Sequence, residues 1–531
     1  MKSRIVFIGS GHNGLTAAAY LARAGHSVLV LERRHVIGGC AVTEEIDPTN
    51  EPGCRVSTAS YIASMLNGQV IDDLNLGSYG LRMVPCEPGV QAAFLDGDVV
   101  SHWNDTDKLK KELARVAPND AKRFFDTEQE LKSLARYLQP FFLETPMDIE
   151  AKGLARWKQL LTLWRRFKGM KESDASGLIG FMTGSLGEFL DRRFESDKLK
   201  RLILSNSLYG KHGGPYHPGT AMGLLFHLLD SGENRQQGFQ GHVIGGMGAI
   251  SESLAKACAD LGVVIRTDAT VKEVNVHGGI TKGVTLHDGE FIEASAVVSN
   301  ADPKHTFLKL VDASHLASDF RESVSNITMS GPCGKVNFVL DREPQITGMP
   351  SSHTPVERSL FTLIPTLQEA EDSYNEARQG LIPNKLWVDC VLASNVDDTL
   401  TERGRHVLTC FVQYLPFELR DSNWEEQRET LGNKVISIIG QYVSGFEESI
   451  KAQDTITPLD LETRFGITEG NIFHGDIALE QMFFSRPVSG WSRYRTPIRG
   501  LYLCGAGTHP GGGVTAAPGY NAAKVIKREL G

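Results

Sequence analysis

A strand, a glycine turn, a helix and a second strand at the N-terminus, with a further strand, glycine loop and helix at the C-terminus, predict an α/β protein of two domains. Between them, segments of alternating apolar residues and segments of helical periodicity are typical of a mixed sheet packed with helices. We therefore expect a Rossmann-like nucleotide domain assembled from residues 1–80, 240–308 and 484–531. Residues 81–239 and 309–483 are expected to form a mixed-sheet and helical substrate domain.

The N-terminal unit carries the strongest signal. An apolar strand, Arg4 to Gly9, leads into Gly9-Ser10-Gly11-His12-Asn13-Gly14, and a helix is predicted from Leu15 to Ala24. A second strand, Ser27 to Leu31, ends at Glu32. Glycines at this spacing permit a tight turn, close approach to a pyrophosphate and close packing of helix on strand, while the acid accepts hydrogen bonds from a ribose. The unit predicts a site for an adenine dinucleotide.

A glycine pair, Gly38-Gly39, follows six residues after Glu32. Two glycines let the backbone pass close to the ribityl and pyrophosphate groups of FAD, where a side chain would clash. An ordinary glycine turn after a strand is the alternative, and these residues alone leave both open. Farther on, residues 52–66 include Ser60 and Tyr61, and the small residues of this stretch would leave room for a flavin ring; a polar loop is the alternative.

The C-terminal segment decides between the two interpretations of the glycine pair. A strand over Ile498 to Gly505 feeds a loop containing Gly511-Gly512-Gly513, and a helix follows from Ala516 or Ala517. Such a helix N-terminus stabilises negative charge, as on the edge of a reduced flavin. We therefore predict FAD as the cofactor.

The segment from Val243 to Ala301 has the order glycine turn, helix, strand, hairpin and apolar strand. We expect Val271 to bind adenine through its backbone and Asn300 to return to the edge of the nucleotide site. A β-meander without any ligand contact is the alternative.

Composition excludes several classes of function. A net charge of −9 over 531 residues argues against nucleic acid as the main partner. The eight cysteines form no CxxC pair and the sequence has no metal-ligand cluster, so we expect reduced packing cysteines and no metal. No run of about 18 apolar residues occurs. Because the first apolar stretch contains the glycine fingerprint, we read no export signal there and expect a cytoplasmic location.

Residues 154–171 are predicted to form a basic amphipathic helix. Trp157 and Trp164 recur at helical spacing with leucines and Phe167, and arginines and lysines lie between them. Such a helix suits the plane of a membrane surface. An amphipathic helix packed on its own protein, or on another copy in an oligomer, is the alternative.

Three stretches resemble the phytoene desaturase-related FAD oxidoreductases, whose fold is of the amine oxidase/phytoene desaturase type. They are Gly9-x-Gly11-x-x-Gly14 with Glu32 and Gly38-Gly39, then Gly245-Gly246-Met247-Gly248 through Ser299-Asn300-Ala301-Asp302-Pro303, and Gly505-Ala506-Gly507-Thr508-His509-Pro510-Gly511-Gly512. Residues 470–475, 486–488 and 501–505 narrow the resemblance to the branch called pyridine nucleotide-disulphide oxidoreductase domain-containing proteins. The likeness covers nearly the whole chain.

The resemblance implies one non-covalent FAD and an oxidoreductase of the dehydrogenase/desaturase type. It implies an apolar, often unsaturated lipid-like substrate, hydride or electron transfer at flavin N5, an electron acceptor that the sequence does not name, and association with membranes. The resemblance does not imply a carotenoid substrate, because this branch differs from the true carotenoid desaturases across the substrate region. The residues expected to contact FAD are Gly9, Ser10, Gly11, Asn13, Gly14, Glu32, Arg33, Gly38, Gly39, Cys40, Ala41, Ser60, Val271, Asn300, Gly505, Gly512, Gly513 and Val514.

Candidate catalytic groups are His509 and Tyr61, with His474 as a weaker candidate. For His509 the alternative is a loop histidine that is bonded to the backbone. Two other functions stay open. Sparse acid–base residues in the motifs also fit a flavin-bearing interaction protein with little turnover, and an amine oxidase shares the fold.

Overall fold

The computed structural model describes residues 4–148, 150–205, 207–209, 213–229, 240–329, 331–402 and 404–531. Its strands are β1 (Arg4–Ile8), β2 (Ser27–Leu31), β3 (Thr43–Glu45), β4 (Arg55–Ser57), β5 (Met83–Pro85), β6 (Val90–Ala93), β7 (Val99–His102), β8 (Gly241–Val243), β9 (Val264–Arg266), β10 (Val271–His277), β11 (Ile280–Leu286), β12 (Phe291–Glu293), β13 (Ala296–Ser299), β14 (Gly334–Leu340), β15 (Leu360–Leu363), β16 (Trp387–Leu392), β17 (His406–Gln413), β18 (Ile450–Ile456) and β19 (Leu501–Leu503). Its α-helices are α1 (His12–Arg23), α2 (Gly68–Asp73), α3 (Thr106–Val116), α4 (Ala121–Phe142), α5 (Gly153–Phe167), α6 (Glu172–Thr183), α7 (Leu186–Arg193), α8 (Asp197–Leu204), α9 (Met222–Phe226), α10 (Gly248–Asp260), α11 (Ser318–Ser325), α12 (Leu367–Arg378), α13 (Trp424–Gly440), α14 (Phe446–Ser449), α15 (Pro458–Phe465) and α16 (Ala517–Leu530).

One sheet has five parallel strands in the order β19-β13-β1-β2-β9. Its central strands are continuous apolar runs, which is typical of a parallel sheet covered on both faces. Helices α1, α10 and α16 cover one face with a core that includes Leu15, Ile250 and Ile526. The antiparallel meander β10–β12 and the segment around Phe307 cover the other face. Three layers therefore hold the carboxyl ends of β1, β2 and β13 at one edge.

The predicted βαβ unit is confirmed, with two corrections. Strand β2 has the predicted bounds, whereas β1 ends at Ile8, one residue before the expected Gly9. Helix α1 begins at His12, three residues before the expected Leu15. Gly11 is the N-cap residue, with extended backbone, so the helix starts inside the glycine fingerprint. The first turn of the helix therefore lies directly at the edge of the sheet.

The second large sheet has seven strands in the order β18-β14-β17-β16-β15-β6-β7. Only the β15–β6 pair is parallel; the other neighbours are antiparallel. The Asp96-Gly97 turn joins β6 and β7 in a hairpin. The short strand β5 pairs with β8 outside this sheet. A pairing across more than 150 residues leaves no local turn signal.

Residues 105–143 form two helices, α3 and α4, and the break between them contains Pro118. The helix expected over 154–171 is α5, which ends at Phe167. The predicted domain boundaries stay predictions, although the two sheets fall in the expected segments.

In the part of the chain that the structure describes, no helix is long and apolar enough to cross a membrane. The same residues hold no group of three or more histidine, cysteine or acidic side chains arranged for a metal ion. All eight cysteines are free thiols, and seven are buried. Cys390 and Cys410 face each other across β16 and β17 with their sulfur atoms 3.7 Å apart.

Candidate functional site

A cavity of about 620 Å³ opens at the carboxyl ends of β1, β2 and β13. This edge of a parallel sheet is where α/β proteins bind nucleotides. We call it the main cavity; its nucleotide end is formed by the N-terminal fingerprint, and its far end lies against the seven-stranded sheet. The predicted residues that line it are Gly9, Gly11, Asn13, Glu32, Arg33, Gly38, Gly39, Cys40, Ser60, Tyr61, Val271, Asn300, Gly513 and Val514.

Asn300 is the point where the three glycine-bearing segments meet. A Cβ atom on Gly14 would lie 2.5 Å from the carbonyl oxygen of Gly9 and 3.2 Å from the Asn300 Cβ. A Cβ atom on Gly505 would lie 2.5 Å from the Asn300 carbonyl oxygen. Neither position accepts a side chain, because the opposing atoms are backbone. Gly14 and Gly505 thus pack the elements together and, contrary to expectation, do not line the cavity.

Glu32 is buried at the end of β2 and lines the cavity. The backbone N–H and the hydroxyl of Ser10 donate to its Oε2, at 2.9 and 2.7 Å. The Arg34 N–H donates to Oε1 at 3.0 Å. Ser10 was expected to contact the cofactor, but it does not line the cavity; it holds the carboxylate in place. Glu32 can accept further bonds from a ribose diol at Oε1.

Two side chains at the start of α1 fit a polar ligand. His12 Nε2 and Asn13 Oδ1 are buried, and neither has a hydrogen-bond partner among the described residues. Both residues line the main cavity. Burial lowers the pKa of His12 to about 3, so the imidazole is neutral. Orphaned buried polar atoms are costly unless a ligand satisfies them, and the helix N-terminus beside them suits a pyrophosphate. These residues fit the phosphate part of FAD.

The predicted adenine end is built by the meander. Ala269, Thr270, Val271 and Lys272 line the cavity along the start of β10. The Ala269 N–H donates to the Glu32 carbonyl at 2.8 Å, which ties this segment to the end of β2. The backbone of Val271 is therefore close to the acid that would hold the ribose.

The C-terminal loop reaches the cavity through Gly513 and Val514, both with positive φ. Gly512 lies behind them, where a Cβ atom would be 2.6 Å from the ring of Phe473. The buried guanidinium of Arg486 fixes this loop by donating to several backbone carbonyls. Its acceptors are the carbonyl oxygens of Phe473, Gly475, Asp476, Gln481 and Ala506.

His509 was expected near the flavin ring, but it does not line the main cavity. Its Nε2 lies 2.8 Å from the carbonyl oxygen of Phe141, and burial lowers its pKa to about 4, so the neutral ring donates this bond. This geometry favours the alternative of a loop histidine bonded to the backbone. Ala41, which was expected to contact the cofactor, does not line the cavity either. Its carbonyl oxygen accepts a hydrogen bond from the Ser251 hydroxyl. His474 does line the cavity.

The far end of the main cavity contains residues that sequence reasoning missed. Lys335, Phe411, Asp389 and Thr362 are in register across β14, β17, β16 and β15. Residues paired in this way share one face of a sheet, and Phe411, Asp389 and Thr362 line the cavity. Tyr209 lines it as well. One signal in the sequence could have found this group. Lys335 and Asp389 are each a charged residue inside an otherwise apolar strand.

Asp389 is the centre of this group. The Tyr61 hydroxyl donates to its Oδ2 at 3.2 Å and the Trp387 indole N–H donates to its Oδ1 at 2.9 Å. Burial raises the pKa of Asp389 to about 6, against the opposing effect of its hydrogen bonds. Lys335 is fully buried with its Nζ 4.7 Å from the Tyr61 ring centroid, and burial lowers its pKa to about 7. Burial thus moves two pKa values toward neutrality, that of Asp389, which lines the cavity, and that of Lys335, which lies behind it in the sheet.

A second cavity of about 490 Å³ adjoins the first, and Val90, His227 and Gln240 line both. It lies among α3, α4, α7 and α8. Most of its side chains are apolar, and they include Leu109, Phe124, Phe125, Leu131, Phe189, Phe194 and Leu202. The two cavities together offer a space that continues away from the nucleotide end, and in the second cavity the apolar side chains are joined by charged ones such as Glu128, Lys132 and Arg136.

Comparison with known proteins identifies relatives along nearly the whole chain. A model of the family described as flavin containing amine oxidoreductase matches residues 14–433. Pyridine nucleotide-disulfide oxidoreductase domain-containing protein 2 of Mus musculus is 37% identical, over 99% of this chain and 93% of its own. A limonene dehydrogenase component of Castellaniella defragrans is 28% identical, over 99% and 95%. Phytoene desaturase (lycopene-forming) of Pseudescherichia vulneris is 24% identical, over 97% and 96%.

Among solved structures, cyclohexylamine oxidase from Brevibacterium oxydans matches with a TM-score of 0.57 at 15% identity, covering 100% of this chain and 99% of its own. At that identity the likeness concerns the fold alone. The predicted two-domain fold of the amine oxidase type is confirmed. The predicted relationship to phytoene desaturases and to the disulphide-oxidoreductase-named branch is confirmed as well.

Proposed function

Because the chain belongs to the flavin-containing amine oxidoreductase family, we propose that it is a dehydrogenase or desaturase of an apolar, lipid-like substrate. Family membership makes FAD the cofactor and the protein an FAD-dependent oxidoreductase. Bound FAD supplies the acceptor for hydride or electrons at its N5 edge. The nucleotide would be held by the α1 N-terminus, Glu32, the Val271 backbone and Gly513-Val514.

The observation that carries the proposal is the apolar wall beyond the nucleotide end. Ile62, Met65, Leu360, Phe411 and Phe473 line the main cavity there, and the second cavity continues it with aromatic and aliphatic side chains. Such walls bind a substrate by removing its apolar surface from water. Two relatives carry names with hydrocarbon substrates, limonene and phytoene, which supports the same substrate class here.

We assign proton handling to Asp389. Removal of hydrogen from a substrate releases a proton when the second hydrogen leaves as hydride, and a base in the cavity must accept that proton. Asp389 lines the cavity, and with a pKa of about 6 its carboxylate is ionised at neutral pH. Tyr61 and Trp387 hold that carboxylate in one orientation.

The test is anaerobic reduction of the FAD-loaded protein, followed by the loss of the oxidised flavin absorbance band. Unsaturated terpenes and long-chain unsaturated lipids should reduce the flavin, and the rate should rise with pH through about 6. Asp389→Asn should reduce the rate by about 10²–10⁴-fold while dithionite still bleaches the flavin fully. Bleaching of the wild type by dithionite but by no apolar compound would reject the substrate class.

An amine is the alternative substrate, and one observation favours it. The Asp389 carboxylate lies beside the rings of Tyr61, Tyr209 and Phe411, a combination that attracts a cationic ammonium group. Primary and secondary alkyl amines therefore belong in the same panel. Reduction by amines alone would replace the apolar substrate with an amine and leave the assignment of the cofactor intact.

A further inference from the structure

Helix α5 is an exposed helix with an apolar stripe. None of its fifteen residues is buried. Leu154, Trp157 and Trp164 are 81%, 71% and 60% exposed, and Leu160 and Leu161 are also among the exposed large apolar residues of the chain. Exposed tryptophans in a continuous row are unusual on a surface that faces only water. The stripe therefore marks an interaction surface, which we call the α5 surface.

The α5 surface is presented on a fixed helix. Phe167 stacks on Tyr137 and Phe141 of helix α4, with ring centroids 6.2 and 6.1 Å apart. Arg166 bonds Glu144 at 2.9 and 3.1 Å and lies over the Phe141 ring. Half-buried Gln159 and Leu163 continue this contact stripe. The exposed tryptophans lie on another stripe of the helix, so packing against α4 leaves them uncovered.

The charge of this segment is opposite to that of the whole chain. The chain has a net charge of −9, whereas residues 152–171 contain no aspartate or glutamate. The cationic residues in that range are Lys152, Arg156, Lys158, Arg165, Arg166, Lys168 and Lys171. A cationic helix with tryptophan and leucine on one face lies in the interface of an anionic bilayer.

We propose that the α5 surface docks this protein on an anionic lipid bilayer, with helix α5 lying in the plane of the membrane surface. The cations other than Arg166 contact lipid phosphates while Trp157, Trp164 and the leucines enter the boundary of the acyl chains. A second copy of the chain fits less well, because a symmetric contact would bring the cations of two α5 helices together. The proposal depends on no feature of the flavin site.

Vesicle flotation of the FAD-loaded protein tests the docking. The wild type should float with vesicles of phosphatidylcholine and phosphatidylglycerol in equal parts, and poorly with phosphatidylcholine alone. High salt should weaken the binding. Trp157→Ala/Trp164→Ala should lower the partition coefficient by roughly tenfold or more, because each ring removes a large apolar surface from the interface. Arg156→Gln/Lys158→Gln should lower it by about tenfold.

Matched variants control for exposure and charge. Phe291→Ala removes a ring that is 52% exposed on β12, and Lys110→Gln/Lys122→Gln removes two exposed cations from α3 and α4. Both should float like the wild type. The flavin absorbance of each variant shows that it is folded.

Three results would overturn the proposal. One is a wild type that ignores anionic vesicles, and another is a Trp157→Ala/Trp164→Ala variant that floats like the wild type. The third is a wild type that sediments as a dimer and becomes a monomer in this variant without any vesicle binding, which would assign the α5 surface to a second copy.

Discussion

The two ends of the main cavity are built in different ways. At the nucleotide end, the backbone shapes the cavity. Gly14 packs against the Gly9 backbone and Gly505 against the Asn300 backbone, and the first turn of α1 faces the cavity. At the far end, side chains from four neighbouring strands meet around Asp389. A backbone-built end binds what all members of a family share, whereas a side-chain-built end is free to differ with the substrate.

The largest effect is expected from Arg486, which holds the C-terminal loop beside the nucleotide end. Arg486→Met should lower the free energy of unfolding by about 3–5 kcal/mol, because it leaves several buried carbonyl oxygens without a donor. The C-terminal loop should also lose its hold on flavin. Chemical denaturation and the ratio of flavin to protein absorbance measure both effects. An unchanged denaturation midpoint would show that the hydrogen bonds of Arg486 do not stabilise the loop.

The nucleotide end is tested by Gly14→Ala. Its Cβ would lie 2.5 Å from a backbone oxygen, so we expect a loss of roughly 1–3 kcal/mol and weaker flavin binding. Gly77→Ala is the control, because a Cβ there meets nothing within 4 Å. If Gly14→Ala retained flavin as well as Gly77→Ala, the backbone-built description of this end would be wrong.

The far end is tested through its pH dependence. Burial raises the pKa of Asp389 from 3.8 to about 6, so the folded state holds this proton more tightly than the unfolded state. The wild type should therefore lose up to about 3 kcal/mol relative to Asp389→Asn as pH rises from about 4 to about 6. The Tm of the variant minus the Tm of the wild type, measured across that range, should increase with pH. A difference in Tm that does not change with pH would show that the folded state does not bury a charged Asp389.

The smallest effect is expected at His509. His509→Ala removes one hydrogen bond to the Phe141 carbonyl, at a cost of about 1 kcal/mol. Turnover per bound flavin should not change, because His509 does not line the cavity. A loss of turnover at full flavin occupancy would restore His509 to the chemistry.

The nucleotide end could be predicted because its residues are imposed by backbone geometry. The cavity is lined, as expected, by Gly9, Gly11, Gly38 and Gly39. A backbone that passes close to a ligand requires glycine, and glycine can be recognised in the sequence. The same reasoning could not tell a glycine that touches ligand from one that packs helix on strand. That is why Gly505 was expected in the wall and lies behind it.

The far end could not be predicted in the same way. Asp389 and Lys335 are more than 50 positions apart in the chain, and only the register of the sheet puts them in one row. A pairing of distant strands has no short-range spacing to recognise. Tyr61 was found because it follows the glycine pair, but its partner Asp389 was not.

The junction at Asn300 has a consequence for biosynthesis. The sheet that holds this junction joins β1, made first, to β13 and β19, whose residues are made some 300 and 500 positions later. A nascent chain still lacking β19 has no complete floor beneath the pocket, and Gly505 is not there to close it. The floor of the pocket can therefore be completed only after residue 505 has been translated and has packed against the Asn300 backbone.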